Sequence, residues 1–404
     1  MSPLPLVIVG CGPAGLAAAS VIRRVVPSRE LIVLEAGTSL PERRRTIPAH
    51  ITSGVGGAGL YSDGKFSFYP AASALWRLQN TPRLERSYAW LRELLHSVGV
   101  SVPAFMVTPA RAAEDDFKPY PSLYIDEPHR YQIIEQLLAP IEGAVWLQSR
   151  LLDLEESAEG VRLSIDRSGI RTELMAAVVL LAGGRFSPLE MSHYKTAPIM
   201  RFLRIELGLR LEGPADNPFF AELRARGGSL DPKLILRAPD SEWRTFCCCT
   251  NGEVIEASCA GFWPLSGRAD CAPTGRSNVG INVRLLQPTT DFSLSQLQGR
   301  RQFRLSLREV LDGSLLSEVY GLSAATLLRE GLSQLVTRFP SLQGEAFQLM
   351  GPVIEGVGAY PESDAQLALQ GGRLYVAGDA CGKFRGLVAA LLSGAYLGEV
   401  LGVL

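Results

Sequence analysis

The first apolar run, Leu6-Val7-Ile8-Val9, shows no polar alternation, the pattern of a strand buried on both faces of a parallel sheet. Residues 16–24 then have helical composition, and a second unbroken run, Leu31-Ile32-Val33-Leu34, predicts a neighbouring strand. Later stretches repeat the theme. Residues 176–181 predict a strand that runs into Ala182-Gly183-Gly184, and residues 374–377 one that runs into Gly378-Asp379. A helix is predicted over 129–138, a strand over 144–147, and a hairpin over 151–163 around Ala158-Glu159-Gly160. From 190 to 345 the texture changes to apolar alternation at 203–211, a strand at 279–285, and helical stretches near 294–311 and 322–338.

What separates the first two strands carries chemistry. Gly10-Cys11-Gly12-Pro13-Ala14-Gly15 follows the first strand at once, and Glu35 ends the second, twenty residues after Gly15. This is a dinucleotide-binding βαβ unit. Gly10 makes the tight turn, Gly12 lets backbone approach a pyrophosphate, and Gly15 lets helix and strand pack closely. The helix start, with Pro13 and Ala14, offers free N–H groups and a positive dipole end. Glu35, followed by Ala36, is placed to accept from a ribose 2′-OH. A second glycine run, Gly54-Val55-Gly56-Gly57-Ala58-Gly59, lacks a preceding apolar strand and a following acid. Two readings stand for it: a loop over a cofactor held by the first motif, or a mobile surface loop.

The late strand ending in Gly378-Asp379 points to FAD rather than a nicotinamide dinucleotide. FAD is longer, and its ribityl chain needs a partner far from the first βαβ unit. Asp379 suits a ribityl hydroxyl, and a helix from Gly386, with Leu387 and Val388 in its first turn, aims its positive end at the flavin N1 and O2. Lys65, Lys383 and Arg385 lie within these motifs as candidate cations. In Glu42-Arg43-Arg44-Arg45, Arg43 is the candidate for the FAD pyrophosphate. No His or Cys lies in a recognisable covalent-linkage motif, so non-covalent FAD is expected.

Composition narrows the setting. The 404 residues are 47% hydrophobic and 20% charged with a net charge of −1, which excludes long disorder and gives no attraction for nucleic acid. Seven cysteines, scattered except for one run of three, form no secreted disulfide framework, so a reducing, cytoplasmic setting is expected. No basic segment precedes the first apolar run, and the apolar stretch 387–404 contains Gly394, Gly398, Glu399 and Gly402. A buried helix is expected there, with no export signal and no transmembrane segment.

The run Cys247-Cys248-Cys249 precedes Asn251-Gly252, a type I′ hairpin signal. Pairing across that turn sets Cys249 opposite Val254 and Cys247 opposite Glu256. Cys247 and Cys249 then share one face, and Cys248 joins Phe246 and Ile255 on the other. Either a thiol lines the substrate face, or the run is small apolar packing; the packing reading is preferred. No metal cluster is visible, and His50, His96, His129 and His193 lie in unrelated segments, so none is nominated as a base.

Together these residues resemble the glutathione-reductase-type two-part FAD-binding flavoproteins, and more narrowly the bacterial and plastid FAD-dependent dehydrogenase family. The narrower match rests on Gly56-Gly57-Ala58-Gly59 with Ser62-Asp63-Gly64-Lys65, on Gly208-Leu209-Arg210-Leu211-Glu212, on Phe246 with Cys247 and Cys249, and on Gly378-Asp379 with Arg385-Gly386-Leu387. Thr250-Asn251-Gly252 departs from the family's proline and glycines. The resemblance implies redox chemistry with FAD, an accessory β-meander, and cofactor contacts that include Leu152, Ala182 and Gly183. Lys65, Cys247 and Cys249 stand as the catalytic candidates.

The expected fold class is α/β (α+β overall). A Rossmann-like FAD-binding domain with an accessory β-meander is drawn from 1–65, 126–189 and 346–404. An inserted mixed-sheet substrate domain is drawn from 66–125 and 190–345. The expected activity is hydride removal from a small or medium organic substrate, with oxygen or another carrier as electron acceptor. The alternatives are an FAD-dependent monooxygenase, against which Gly378-Asp379-Ala380-Cys381-Gly382 lacks the hydroxylase histidine and proline, and a non-redox flavoprotein in which FAD only shapes a pocket.

Overall fold

The computed structural model describes residues 3–106, 116–313, 315–343 and 346–404. The unbroken apolar runs become parallel strands as expected. The chain begins β1 (Leu6–Val9), α1 (Pro13–Val25), β2 (Leu31–Leu34), then two short helices, α2 (Pro48–Thr52) and α3 (Gly57–Leu60). Next come β3 (Lys65–Ser67), α4 (Thr81–His96), β4 (Ser122–Tyr124), α5 (Glu127–Leu138) and β5 (Val145–Trp146). The meander follows as β6 (Ser149–Ser157), β7 (Gly160–Arg167) and β8 (Ile170–Ala176), with its first turn at the expected Ala158-Glu159-Gly160, and leads to β9 (Val178–Leu181) and α6 (Ser187–Met191).

The second half runs β10 (Met200–Pro214), α7 (Pro218–Gly227), β11 (Ile235–Ala238), β12 (Ser241–Cys249), β13 (Glu253–Glu256), β14 (Leu265–Arg268) and β15 (Arg276–Leu285). It continues through β16 (Phe303–Ser306), α8 (Leu307–Asp312), α9 (Leu315–Arg338), β17 (Gln348–Pro361), β18 (Leu374–Val376) and α10 (Leu387–Gly402). Two sheets organise these elements. The parallel sheet has the order β18-β9-β1-β2-β5, and the six-stranded sheet, antiparallel throughout, has the order β11-β12-β15-β10-β17-β16. One apolar core surrounds the parallel sheet, and a second lies between the antiparallel sheet and α7, α8 and α9.

Two expected boundaries are corrected by these pairings and by the packing. Residues 346–361 do not belong with the parallel sheet, because β17 pairs along β10 from Met200↔Pro361 to Glu212↔Gln348. Residues 66–106 pack with the parallel sheet instead of the second unit: Phe66, Phe68, Trp76 and Tyr88 lie in its core, and α4 packs on α10. The rest of that segment divides, since Phe117 bridges to Leu234 in the second unit, and 107–115 lie outside the described residues. The expected helical stretches near 294–311 are present but are split by a strand: a 3-10 turn at Leu294–Leu297 comes first, then β16 and α8.

The apolar stretch near the end is a buried helix. α10 lies alongside α1, parallel to it, with Gly394 against Ala14, Gly398 against Ala18 and Val21, and Gly402 against Ile22 and Val25. A Cβ at Gly394 would stand 2.1 Å from the Ala14 carbonyl oxygen, so side chains here would drive the helices apart. Among the described residues no helix is long and apolar enough to cross a membrane.

Candidate functional site

In the parallel sheet, β1 lies between β2 and β9, so the chain leaves β1 at the switch point where open α/β sheets bind ligands. Gly10 has φ +105°, and a Cβ there would meet the Ala182 carbonyl oxygen at 2.6 Å. A Cβ on Gly15 would meet the Gly10 carbonyl at 1.9 Å. Both glycines are demanded by the chain's own packing. Gly12 is different: its φ is −81°, and a Cβ would meet nothing nearer than 3.8 Å. Its missing side chain leaves open space directly before α1.

The parallel packing of α1 and α10 brings their N-termini to the same end. No side chain caps either helix, α1 starting after Gly12 and α10 after Gly386. Gly59 lies between them, since a Cβ there would be 2.5 Å from Pro13 Cγ and 2.8 Å from Leu387 Cδ2. The sequence candidates Gly12, Pro13, Ala14, Gly56, Gly57, Ala58, Gly59, Gly386, Leu387 and Val388 therefore cluster around two uncapped, positively polarised helix ends. Ala182 and Gly183 close the cluster beside Gly10.

Three expected cofactor contacts, and the candidate cation Lys383, are found in surroundings of their own. Glu35, 5% exposed, accepts from the backbone N–H of Cys11 at 3.1 Å, Gly37 at 2.7 Å and Gly54 at 2.9 Å, so its oxygens face amides, not open space. It knots the second glycine run to the first, while Ala36 beside it stays exposed. Arg43 is buried and donates to the carbonyls of Val55 and Gly57 at 2.8 Å each and to that of His50. Burial lowers its pKa to about 10. Leu152 stands at the bulge between Leu151 and Asp153, 43% exposed to solvent. Lys383 donates to Ser363 at 3.2 Å.

Asp379, the candidate partner for a ribityl hydroxyl, is held by two arginines. Its carboxylate accepts from Arg385 Nε at 3.2 Å and Arg185 Nε at 3.4 Å. Both arginines also bond Glu355, and Arg385 reaches Glu206. Burial would raise the Asp379 pKa, but Arg385 and Arg185 outweigh it and hold the group ionised. Glu206, Glu355 and Arg185 escaped the sequence reading because each sits alone in an ordinary strand or loop. The fold joins them across the two sheets.

The third expected element, the cysteine run, is rearranged. β13 pairs with β14 and not with β12, so the Asn251-Gly252 hairpin does not form. Glu256 is therefore not opposite Cys247; it pairs with Arg301. Cys248 enters the core under the antiparallel sheet, away from both Phe246 and Ile255, and there the packing reading describes it well. Cys247 and Cys249 do share a side, with sulfurs 3.7 Å apart.

Their surroundings are charged. Lys65 Nζ, on a side chain 7% exposed, lies 3.0 Å from Asp63, 3.8 Å from Asp231 and 3.8 Å from Cys249 Sγ. Burial works against the Lys65 ammonium, but Asp63 and the two thiols raise its pKa well above the ordinary value. The hydrogen bond from Cys247, with Lys65 and Arg210 nearby, pulls the Cys249 thiol below its usual value against the cost of burial. The same hydrogen bond and burial push Cys247 up. Asp63, Cys247 and Cys249 each bring a metal-capable atom within 4.8 Å of the others, a grouping the sequence could not show across 184 positions. The cation lodged beside them here is Lys65.

No protein-family model matches the sequence, and no curated protein matches it. Solved structures are similar at low identity. A geranylgeranyl bacteriochlorophyll reductase-like protein from Thermoplasma acidophilum is 15% identical over 99% of this chain and 78% of its own, with a TM-score of 0.45. A salicylate hydroxylase in a substrate complex is 16% identical over 99% and 80%, with a TM-score of 0.43. CtdE, in complex with FAD and substrate, is 14% identical over 99% and 81%, with a TM-score of 0.40.

Proposed function

We propose that the carboxyl edge of the parallel sheet binds FAD non-covalently and that the protein is an FAD-dependent oxidoreductase, removing hydride from a small or medium organic substrate. One observation carries this reading: two uncapped helix N-termini, held side by side, flank Gly12, whose open face no packing within the chain requires. The N–H groups at the start of α1 suit a pyrophosphate, and Gly12 lets it come close. Asp379, kept ionised by Arg385 and Arg185, is an acceptor for a sugar-chain hydroxyl. The uncapped start of α10 would supply positive potential to a flavin bound beside it, favouring the negative charge gained on reduction. FAD, when bound, supplies the hydride acceptor; the chain supplies position and field.

The test has two parts. Chromophore released by acid from the purified protein is identified by chromatography, and FAD is the expected result; NAD, FMN or no chromophore after reconstitution overturns the assignment. The holoprotein is then mixed anaerobically with candidate organic substrates. Bleaching without NAD(P)H supports the dehydrogenase reading. Reduction by NAD(P)H alone replaces it with the monooxygenase alternative.

A further inference from the structure

β12 loses register at the cysteines. Phe246 pairs with Gly280 and Cys249 with Asn278, so three steps along β12 match two along β15. Within this bulge Cys247 takes φ +48°, a left-handed conformation that residues with a side chain rarely adopt. A regular strand would hold the two Cα atoms at ~6.6–6.8 Å, near the limit for a disulfide. The bulge turns both sulfurs together instead. Cys249 is buried and Cys247 is partly exposed.

Beside the pair lies Arg210, 1% exposed. Its Nη2 donates to the Cys247 carbonyl at 2.9 Å and to Asn278, while its Nε and Nη1 have no hydrogen-bond partner. Asp63 and Asp231 flank Lys65. Arg210 is bonded to neither. A buried cation needs an anion close by; Asp63 acts on Arg210 without bonding it, and the Cys249 sulfur, 3.8 Å from Lys65, can supply a second negative charge to the cluster.

We propose that Cys247 and Cys249 form a dithiol–disulfide redox pair whose co-reactant is an organic disulfide. Cys249 begins as the thiolate and accepts the Cys247 S–H. When a disulfide RSSR meets the partly exposed Cys247, that proton passes to Cys249, and the Cys247 sulfur attacks one sulfur of RSSR and expels RS⁻. Cys249 then gives its proton to the expelled RS⁻ and attacks the Cys247 sulfur. The internal disulfide forms and a second RS⁻ leaves. The pair loses two electrons, RSSR gains them, and the products are RSH and RS⁻. Lys65 and Arg210 are positioning residues that keep the charge on Cys249. No step uses FAD, so the outcome is separable from the reading of the carboxyl edge.

The full chain is incubated with oxidised glutathione, quenched in acid, alkylated, digested and mapped by mass spectrometry. The expected product is a peptide lighter by two hydrogens, with Cys247 joined to Cys249. Dithiothreitol reverses it, and Cys248→Ala still forms it. In Cys249→Ala, which lacks the proton acceptor, a glutathione adduct on Cys247 forms more slowly than the wild-type disulfide and does not resolve. Lys65→Met forms the disulfide about tenfold more slowly with unchanged circular dichroism. A wild-type adduct on Cys247 that never resolves, or a disulfide to Cys248, overturns the proposal. So does a stoichiometric divalent metal that shields Cys247 and Cys249 from alkylation.

Discussion

Arg385 donates from Nη1 to the Glu206 carboxylate across 2.7 Å, and with its bond to Glu355 this ties the loop before α10 to the middle of the antiparallel sheet. Glu206 is 1% exposed and also receives Arg204 at 2.7 Å and Arg284 at 2.5 Å. Burial alone would raise its pKa; Arg385, Arg284 and Arg204 reverse this and hold it well below the usual carboxylate value.

Glu206→Gln is therefore expected to cost about 3–5 kcal/mol, because it leaves buried arginines without their shared anion. The pH dependence has a definite sign. A carboxylate whose folded pKa is depressed stabilises fully above its unfolded value, about 4.3, and loses that contribution as pH falls through the folded value. Thermal unfolding from neutral pH down through the acid range should fall less steeply in the variant. Parallel curves would show that Glu206 is not the linked group.

Gly394→Val tests the helix pair. Its side chain would begin 2.1 Å from the Ala14 carbonyl oxygen, so α10 has to move off α1. We expect a loss of about 1–3 kcal/mol or more in denaturant unfolding, together with weaker cofactor retention, since the two helix starts separate. Unchanged stability would mean that the parallel packing is wrong.

Gly267→Ala tests the environment of the thiols. A Cβ there would lie 2.1 Å from Arg210 Nη2, so the guanidinium must retreat. The inflection of thiolate ultraviolet absorbance against pH should move upward, because a cation has left Cys249. No movement would show that Arg210 has no part in holding the thiolate.

Asp379→Asn keeps the shape of the carboxylate but removes its charge. FAD affinity is expected to fall about tenfold, roughly 1.4 kcal/mol, as measured by fluorescence titration of the apoprotein. Equal affinity would take Asp379 out of the cofactor site.

The βαβ unit was legible because its strands, glycines, helix and acid lie within thirty-five consecutive residues, where spacing alone dictates geometry. Glu35 shows the limit of that legibility. Its position was readable, but its partners include Gly54, which only the folding of the second glycine run brings near. Arg43 was likewise visible as a cation yet turns inward to carbonyls that close the same loop. The cysteine strand failed for a local reason. Asn251-Gly252 signals a hairpin, but β13 has a better partner in β14, and one extra residue in β12 undoes simple alternation. β17 was misplaced because a fourteen-residue strand carries no mark of which sheet it joins. The Arg385–Glu206–Glu355 network was illegible for the same reason, its members being 179 and 30 positions from Arg385.

The most direct test of the central claim is the FAD dissociation constant of Gly12→Ala beside that of the wild type. The added methyl meets nothing within the chain nearer than 3.8 Å, so apoprotein stability should change by less than about 1 kcal/mol, the scale of replacing a glycine cap. A ligand pyrophosphate drawn to the start of α1 would meet that methyl directly. The account predicts affinity weakened by tenfold or more, about 1.4 kcal/mol, with the fold intact. An unchanged dissociation constant in a folded variant would contradict it, because FAD would then be bound somewhere other than the open face of Gly12.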